Sequence, residues 1–254
     1  MQFNEAQIQA IQHNTGPCMV IAGPGSGKTT VLTHRVRYLI ERYGVNPSDI
    51  LVITFTKAAA EQMKLKFKGL SEGRNSAVTF GTFHAVFFTI LKAAYNYSAH
   101  CIIKPQIQHE FVKDQMCRLE LEYDDENEAV AGVLSEISCV KGEDVNIDEY
   151  ESRCIPPQSF RIMYRAYDDM LVRKHLIDFD DMIVQCRELL MQREDYRRAW
   201  QNKYKYILID EFQDINKAQF DVVRILADEY RNLFVVGDDD QSIYKFRGAN
   251  IYNI

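Results

Sequence analysis

Residues 18–30 read Cys18-Met-Val-Ile-Ala-Gly-Pro-Gly-Ser-Gly-Lys-Thr-Thr30, and this stretch decides the fold. The apolar run from Cys18 to Ala22 predicts a buried strand. It leads into a loop made of Gly23, Pro24, Gly25, Ser26 and Gly27, after which Lys28, Thr29 and Thr30 open an amphipathic helix. Strand, glycine-rich turn and helix N-terminus together form a phosphate-binding loop. The glycines let the backbone curl so that its N–H groups point inward, and the helix end adds partial positive charge. In such a loop Lys28 reaches the β- and γ-phosphates, and the Thr29 hydroxyl ligates Mg²⁺. Ala22 stands where the strict pattern has its first glycine. That is a mild departure, because only the later glycines approach the phosphates closely.

The bulk composition is compatible with one large or two smaller domains. The chain has 254 residues, 46% of them hydrophobic, enough for a sizeable core and too many for a disordered chain. Its net charge of −6 argues against a general polyanion-binding surface and leaves room for a local basic groove. The six cysteines include no C-x-x-C pair, which disfavours metal or iron–sulfur ligation and points to reduced thiols. The start, Met1-Gln-Phe-Asn-Glu, lacks the basic-then-apolar pattern of a signal peptide, and no apolar run reaches membrane-spanning length. The expected compartment is the cytoplasm, with no membrane partner.

Outward from the loop, the pattern alternates strand and helix. Phe3 to Gln12 predicts a short helix capped by Asn4. Within it, Gln7 reads either as a solvated helix residue or as a reader of adenine, whose N6 and N7 suit an amide that donates and accepts at once. Lys28 to Tyr43 is a helix with Val31, Leu32, Val36, Leu39 and Ile40 on one face, and Gly44 caps its end. Ile50 to Phe55 is the next buried strand, so the sheet is parallel with right-handed crossovers. Phe55 and Thr56 lie at its carboxyl end, where open α/β sheets bind ligands. Phe55 reads as core or as a stacking ring. Ala77 to Phe80 predicts a third strand, and His84 sits at its exit into another helix.

Beyond about residue 98 no buried-strand pattern returns until Tyr206. Helical periodicity over roughly 107–122, 127–140 and 158–176 predicts a helical insertion. Asp178 reads as the N-cap of a following helix, with Asp180 and Asp181 in its first turn; an alternative is a metal or catalytic role. Tyr206 to Ile209 is a buried strand that delivers Asp210 and Glu211 at its carboxyl end. Such a pair completes a nucleoside-triphosphate site: Asp210 holds Mg²⁺ through water and Glu211 is the general base for the attacking water. Asn232 to Val236 is a further strand. It exits towards Gln241, placed to touch a γ-phosphate or the water attacking it, and then towards Tyr244, Phe246 and Arg247. Rings interleaved with positive charge suit the stacking of bases and the holding of backbone phosphate in single strands.

These segments, in this order, resemble the UvrD/Rep family of superfamily 1 DNA helicases. The likeness rests on Gln7, on Ala22 to Thr30, and on the Thr-Phe-Thr stretch within Ile53 to Met63. It continues through Gly81-Thr-Phe-His-Ala85, Asp178-Phe-Asp-Asp-Met182, Asp210-Glu-Phe-Gln-Asp214 and Gly237-Asp-Asp-Asp-Gln-Ser-Ile-Tyr-Lys-Phe-Arg-Gly-Ala249. The resemblance implies a RecA-like α/β motor domain, 1A, formed by residues 1–89 and 177–254 around a parallel sheet with helices on both faces. An all-helical subdomain, 1B, interrupts it at 90–176. It further implies ATP and Mg²⁺ as cofactors, 3′-to-5′ translocation on single-stranded DNA, action at duplex junctions, and DNA contacts through Phe55, Thr56, His84, Tyr244, Phe246 and Arg247. By the same carry-over Gln241 couples nucleotide to DNA. Lys57 after Thr56 is reminiscent of RecB/AddA-type helicase-nucleases, so the motor of such an enzyme is an alternative, as is an ATP- and single-strand-binding module without motor activity. Phe246 replaces a frequent tryptophan, and Thr30 a frequent arginine near the adenine. Family members continue into a second RecA-like domain that supplies arginines to the site; the expectation is that these 254 residues lack it and, alone, hydrolyse ATP poorly.

Overall fold

A computed structural model describes residues 3–71 and 77–238. Its centre is a five-stranded, all-parallel sheet in the order β1-β5-β4-β2-β3, formed by β1 (Cys18–Ile21), β2 (Ile50–Thr54), β3 (Thr79–Thr82), β4 (Tyr206–Ile209) and β5 (Leu233–Gly237). The middle strands are continuous apolar runs because both of their faces are covered. Along β2 every residue is buried. Its side chains alternate between two cores: Leu51 and Ile53 face one, Ile50 and Val52 the other. The first core is completed by α4 (Phe83–Ala94), α8 (Phe179–Gln192), α9 (Glu194–Lys203) and α10 (Lys217–Ala227). The second is completed by α1 (Glu5–Gln12), α2 (Lys28–Tyr43) and α3 (Lys57–Leu70). This is the expected α/β arrangement of a RecA-like fold.

A third apolar cluster stands apart from the sheet. It joins α5 (Pro105–Arg118), α6 (Glu126–Glu143) and α7 (Pro157–Lys174) through Val112, Met116, Val133, Ile137, Phe160, Met163 and Tyr167. The chain enters and leaves this helical unit side by side. Ile103 N–H donates to the Ile177 carbonyl at 2.9 Å and Ile177 N–H to the Cys101 carbonyl at 2.8 Å. Two features seat the unit on the sheet-bearing part. Gly142 of α6 lies so close to α10 that a Cβ there would be 2.8 Å from the Asn216 side-chain nitrogen. Lys141, 4% exposed, contacts Asp168 at 3.1 Å, Asp178 at 3.0 Å and Asp181 at 2.7 Å. Asp178 and Asp181 also form a capping box at the start of α8. The Asp178 cluster is thereby accounted for as a cap and a salt-bridge hub, and no cluster with the make-up of a metal site occurs among the described residues.

The local signals behave as their chemistry requires. Asn4 caps α1 in a capping box with Gln7. Gly44 ends α2 in the left-handed region at φ 67°. The third strand lies two residues further along than its apolar residues suggest, at Thr79–Thr82, because Thr82 is needed as the N-cap of α4 directly after it. The helix α9 has no counterpart in the sequence reading. Its mean hydropathy is low and only Trp200 and Gln201 are buried. Arg35 is also unexpected: it is 2% exposed inside the second core, donates to the Ala10 and His13 carbonyls, and lies 4.3 Å over the Phe234 ring. Among the described residues no helix is long and apolar enough to cross a membrane.

Candidate active site

The carboxyl edge of the sheet collects the residues singled out in the sequence. β1 runs into the phosphate loop, β2 into Phe55 and Thr56, β3 directly into α4 with His84, β4 into Asp210 and Glu211, and β5 into Asp238. In a parallel sheet each strand end faces the same way, so residues far apart in sequence share one surface.

The phosphate loop is held in its curled form by backbone geometry. Gly25 and Gly27 have φ of 71° and 88°, a region that costs an L-residue about 1–2 kcal/mol. Gly27 is the N-cap of α2, so no capping side chain occupies the first N–H groups of the helix. Gly23, Pro24, Gly25 and Ser26 are exposed, whereas Ala22, Gly27, Lys28, Thr29 and Thr30 are half-buried. Lys28 Nζ donates to the Ala22 carbonyl at 2.9 Å and meets Asp238 Oδ2 at 3.2 Å. Gln7 ties α1 to the loop. Its Nε2 donates to the Ser26 carbonyl at 2.9 Å while its Oε1 accepts from the Asn4 N–H at 3.0 Å. An amide carries two N–H groups and two lone pairs, so these bonds leave capacity for a base edge. A cavity of about 140 Å³ lies here, lined in part by Gln7, Ala22, Ser26 and Lys28.

Opposite the loop, Thr29 Oγ1 lies 3.5 Å from Asp210 Oδ2. Both are hard oxygen donors, which fits Mg²⁺, an ion commonly bound through one or two protein oxygens with phosphates and waters completing the shell. Burial and the neighbouring Glu211 push Asp210 up to about 6. A buried carboxylate in that condition is stabilised by a cation. Glu211 itself has φ 53°, an unusual conformation for a non-glycine residue at a strand exit. Gln213 Nε2 donates to Glu211 Oε2 at 2.9 Å. Burial and Glu211 also push Asp214 up to about 6.

A second group lies along the same edge. Phe55 and His84 are half-buried and Thr56 is exposed. The Thr56 hydroxyl caps α3, accepting from the Ala59 N–H at 3.1 Å. His84 packs edge-on against Phe179, with ring centroids 5.2 Å apart, and Phe179 is 52% exposed. Gln241, Tyr244, Phe246 and Arg247 lie outside the described residues. Asp238, Gln213 and Phe179 stand inside the quoted motifs but carried no role of their own there, and Lys141, away from this edge in the helical unit, carried none at all. An exposed aromatic immediately after an N-cap was a usable signal for Phe179. Lys141 falls on the buried stripe of α6, four residues after Ile137 and eight after Val133, yet a lysine at such a place is ordinarily read as reaching to solvent.

Residues 3–254 match the family described as the UvrD/REP helicase N-terminal domain. The chain is also similar to proteins named ATP-dependent DNA helicase PcrA. It is 35% identical over 264 residues to that of Staphylococcus epidermidis, the alignment covering 99% of this chain and 35% of the relative. It is 34% identical over 261 residues to that of Staphylococcus aureus, again covering 99% and 35%. The chain therefore spans about a third of the length of these curated relatives.

Proposed function

The chain belongs to the UvrD/Rep helicase N-terminal domain family, and from that premise we propose that it is the ATP-binding motor unit of a DNA helicase that moves 3′ to 5′ on single-stranded DNA. The observation that carries this reading is the convergence of Lys28, Thr29, Asp210 and Glu211 at one edge of the sheet. The motor part corresponds to residues 1–89 and 177–254, and the separate apolar cluster of α5–α7 supports a 1B unit over residues 90–176. Its partners are single-stranded DNA, duplex junctions and a second RecA-like domain of the same protein, and its compartment is the cytoplasm.

In this mechanism the curled loop presents N–H groups to the phosphates, and the α2 N-terminus favours their charge. Residues 22–30 form the cradle and Gln7 meets the adenine with the remaining capacity of its amide. Lys28 exchanges part of its contact with Asp238 for the β- and γ-phosphates. Thr29 and Asp210 would hold Mg²⁺, which supplies charge neutralisation at the phosphates. Glu211 takes the proton of the attacking water, and Gln241 senses the γ-phosphate. Phe55, Thr56 and His84, joined by Phe179, contact the single strand, and Tyr244, Phe246 and Arg247, which lie outside the described residues, are proposed to contact it as well.

The test is Lys28→Ala with a fluorescent ATP analogue. Binding is expected to fall at least about tenfold, the loss of a charge-assisted phosphate contact worth roughly 1.5–3 kcal/mol. Unchanged binding would refute the nucleotide assignment. For the motor assignment, the longest natural polypeptide carrying this chain is assayed on a tailed duplex. Unwinding only from a 3′ tail is expected, and unwinding only from a 5′ tail would overturn the polarity.

A further inference from the structure

Gln213 is 2% exposed and belongs to no function assigned so far. Its amide is used at both ends. Nε2 donates to Glu211 Oε2 at 2.9 Å and lies 3.4 Å from Asp214 Oδ2. Oε1 accepts from the Asp238 N–H at 2.9 Å. This orientation is chemically forced: a backbone N–H can only donate and an ionised carboxylate can only accept, so a flipped amide would lose both bonds. Gly237 makes room for it, since a Cβ there would lie 3.0 Å from Gln213 Oε1 and 3.5 Å from the Gln213 backbone nitrogen. The same glycine accepts from Ala22 N–H at 3.0 Å, at the entrance of the phosphate loop. One residue further on, Asp238 pairs with Lys28. Gln213 thus bridges the carboxylate at the end of β4 to the exit of β5, the strand end that also touches the loop lysine.

We propose that Gln213 is a positioning residue that sets the Glu211 carboxylate against the backbone of β5, so that displacement of the β5 exit changes the proton-accepting geometry at Glu211. The inference rests on the reading of Glu211 as general base in nucleotide hydrolysis. Glu211 sits in the left-handed region on a sharp strand exit, and its described side-chain hydrogen bond is the one from Gln213. The chain leaving Asp238 leads in sequence to Tyr244, Phe246 and Arg247, so a strand-contacting segment and the base would share this amide.

The test follows hydrolysis under single-turnover conditions, with protein in excess so that a slow rate is still read. The chain is compared with Gln213→Met, Gln213→Glu and Gly237→Ala. Gln213→Met keeps the side chain's length and removes its hydrogen bonds. Affinity for a fluorescent ATP analogue is expected within about twofold of the parent, and the hydrolysis rate about 10- to 100-fold lower, the scale of a 1 Å misplacement of a reacting group. Gln213→Glu keeps an acceptor for the Asp238 N–H and loses the donor to Glu211; it is expected to bind the analogue like the parent and to hydrolyse about 10- to 100-fold more slowly. Gly237→Ala pushes the amide from the β5 side and reproduces the Gln213→Met defect, and the double variant is no slower than either single one, the non-additivity of a shared path. A Gln213→Met or Gln213→Glu variant that hydrolyses at the parent rate overturns the proposal. So does a double variant whose defects multiply. Should Gln213→Met unfold, Gln213→Glu and Gly237→Ala decide between the same outcomes. Lys28→Ala and Glu211→Gln separate the underlying reading from this one: if they bind and hydrolyse like the parent, the nucleotide assignment fails, and if they are defective while the Gln213 variants are normal, only the positioning role fails.

Discussion

Replacing Lys141 by methionine keeps most of its volume and removes a charge that three carboxylates share. Two of these are secluded, Asp178 at 3% and Asp181 at 17% side-chain exposure; Asp168, at 42%, stays partly hydrated. Burial draws the Lys141 pKa down, but the carboxylates, Asp178 foremost, outweigh it and the ammonium ends raised. Breaking a buried pair from one side costs about 3–5 kcal/mol, since a charge is left without a partner. The cost has a ceiling, because a stranded carboxylate can take up a proton. For Asp181, whose ordinary value is 3.8, that escape costs about 1.4 kcal/mol per pH unit, roughly 4 kcal/mol at pH 7 and under about 2 kcal/mol at pH 5. The sign follows from linkage. Burial and Asp178 already raise Asp181 above its unfolded value, so its ionised form weakens the fold at high pH, and this weakening is relieved as pH falls towards 3.8. Without Lys141 the rise is larger. Urea unfolding followed by circular dichroism should give a loss of about 3–4 kcal/mol at pH 7 that shrinks to about 1–2 kcal/mol at pH 5. A loss below about 1 kcal/mol at pH 7, or one of equal size at both pH values, would refute the hub.

Three further substitutions probe other parts of the argument. Gly27→Ala places a Cβ on a residue at φ 88° and should cost about 1–2 kcal/mol of stability; analogue titration should also show weakened nucleotide binding, and a thermal midpoint equal to the parent's would contradict the strained loop. Gly142→Ala drives a methyl to within 2.8 Å of the Asn216 side chain, which caps α10. A loss of about 1–3 kcal/mol by denaturant unfolding is expected, and no loss would mean that α6 and α10 separate freely. Phe179→Ala removes a ring that is 52% exposed, so stability should change by less than about 0.5 kcal/mol. Affinity for an oligo-thymidine strand, measured by fluorescence anisotropy, should fall by about 1–3 kcal/mol, and unchanged affinity would remove Phe179 from the strand-binding face.

What the linear pattern reveals depends on whether a residue's role is set by its neighbours in sequence or in space. The phosphate loop was legible because strand, glycines and helix are contiguous, and Gly25 and Gly27 carry the backbone torsions that the motif requires. Asp210 was legible for the same reason, standing at the end of the apolar strand β4. The β3 boundary was not, because Thr82 serves both strand and cap, and α9 was not, because so polar a segment has few apolar residues to announce a buried face. Lys141 and Gln213 belong to a class that single-sequence reasoning reaches poorly. Both are polar, of residue types that ordinarily stay at the surface, and both are buried with a partner from a distant segment that satisfies them. Burial of this kind is expensive unless each donor and acceptor is met. That is why these two residues mark the joints of the molecule: Lys141 joins the helical unit to α8, and Gln213 joins the end of β4 to the exit of β5.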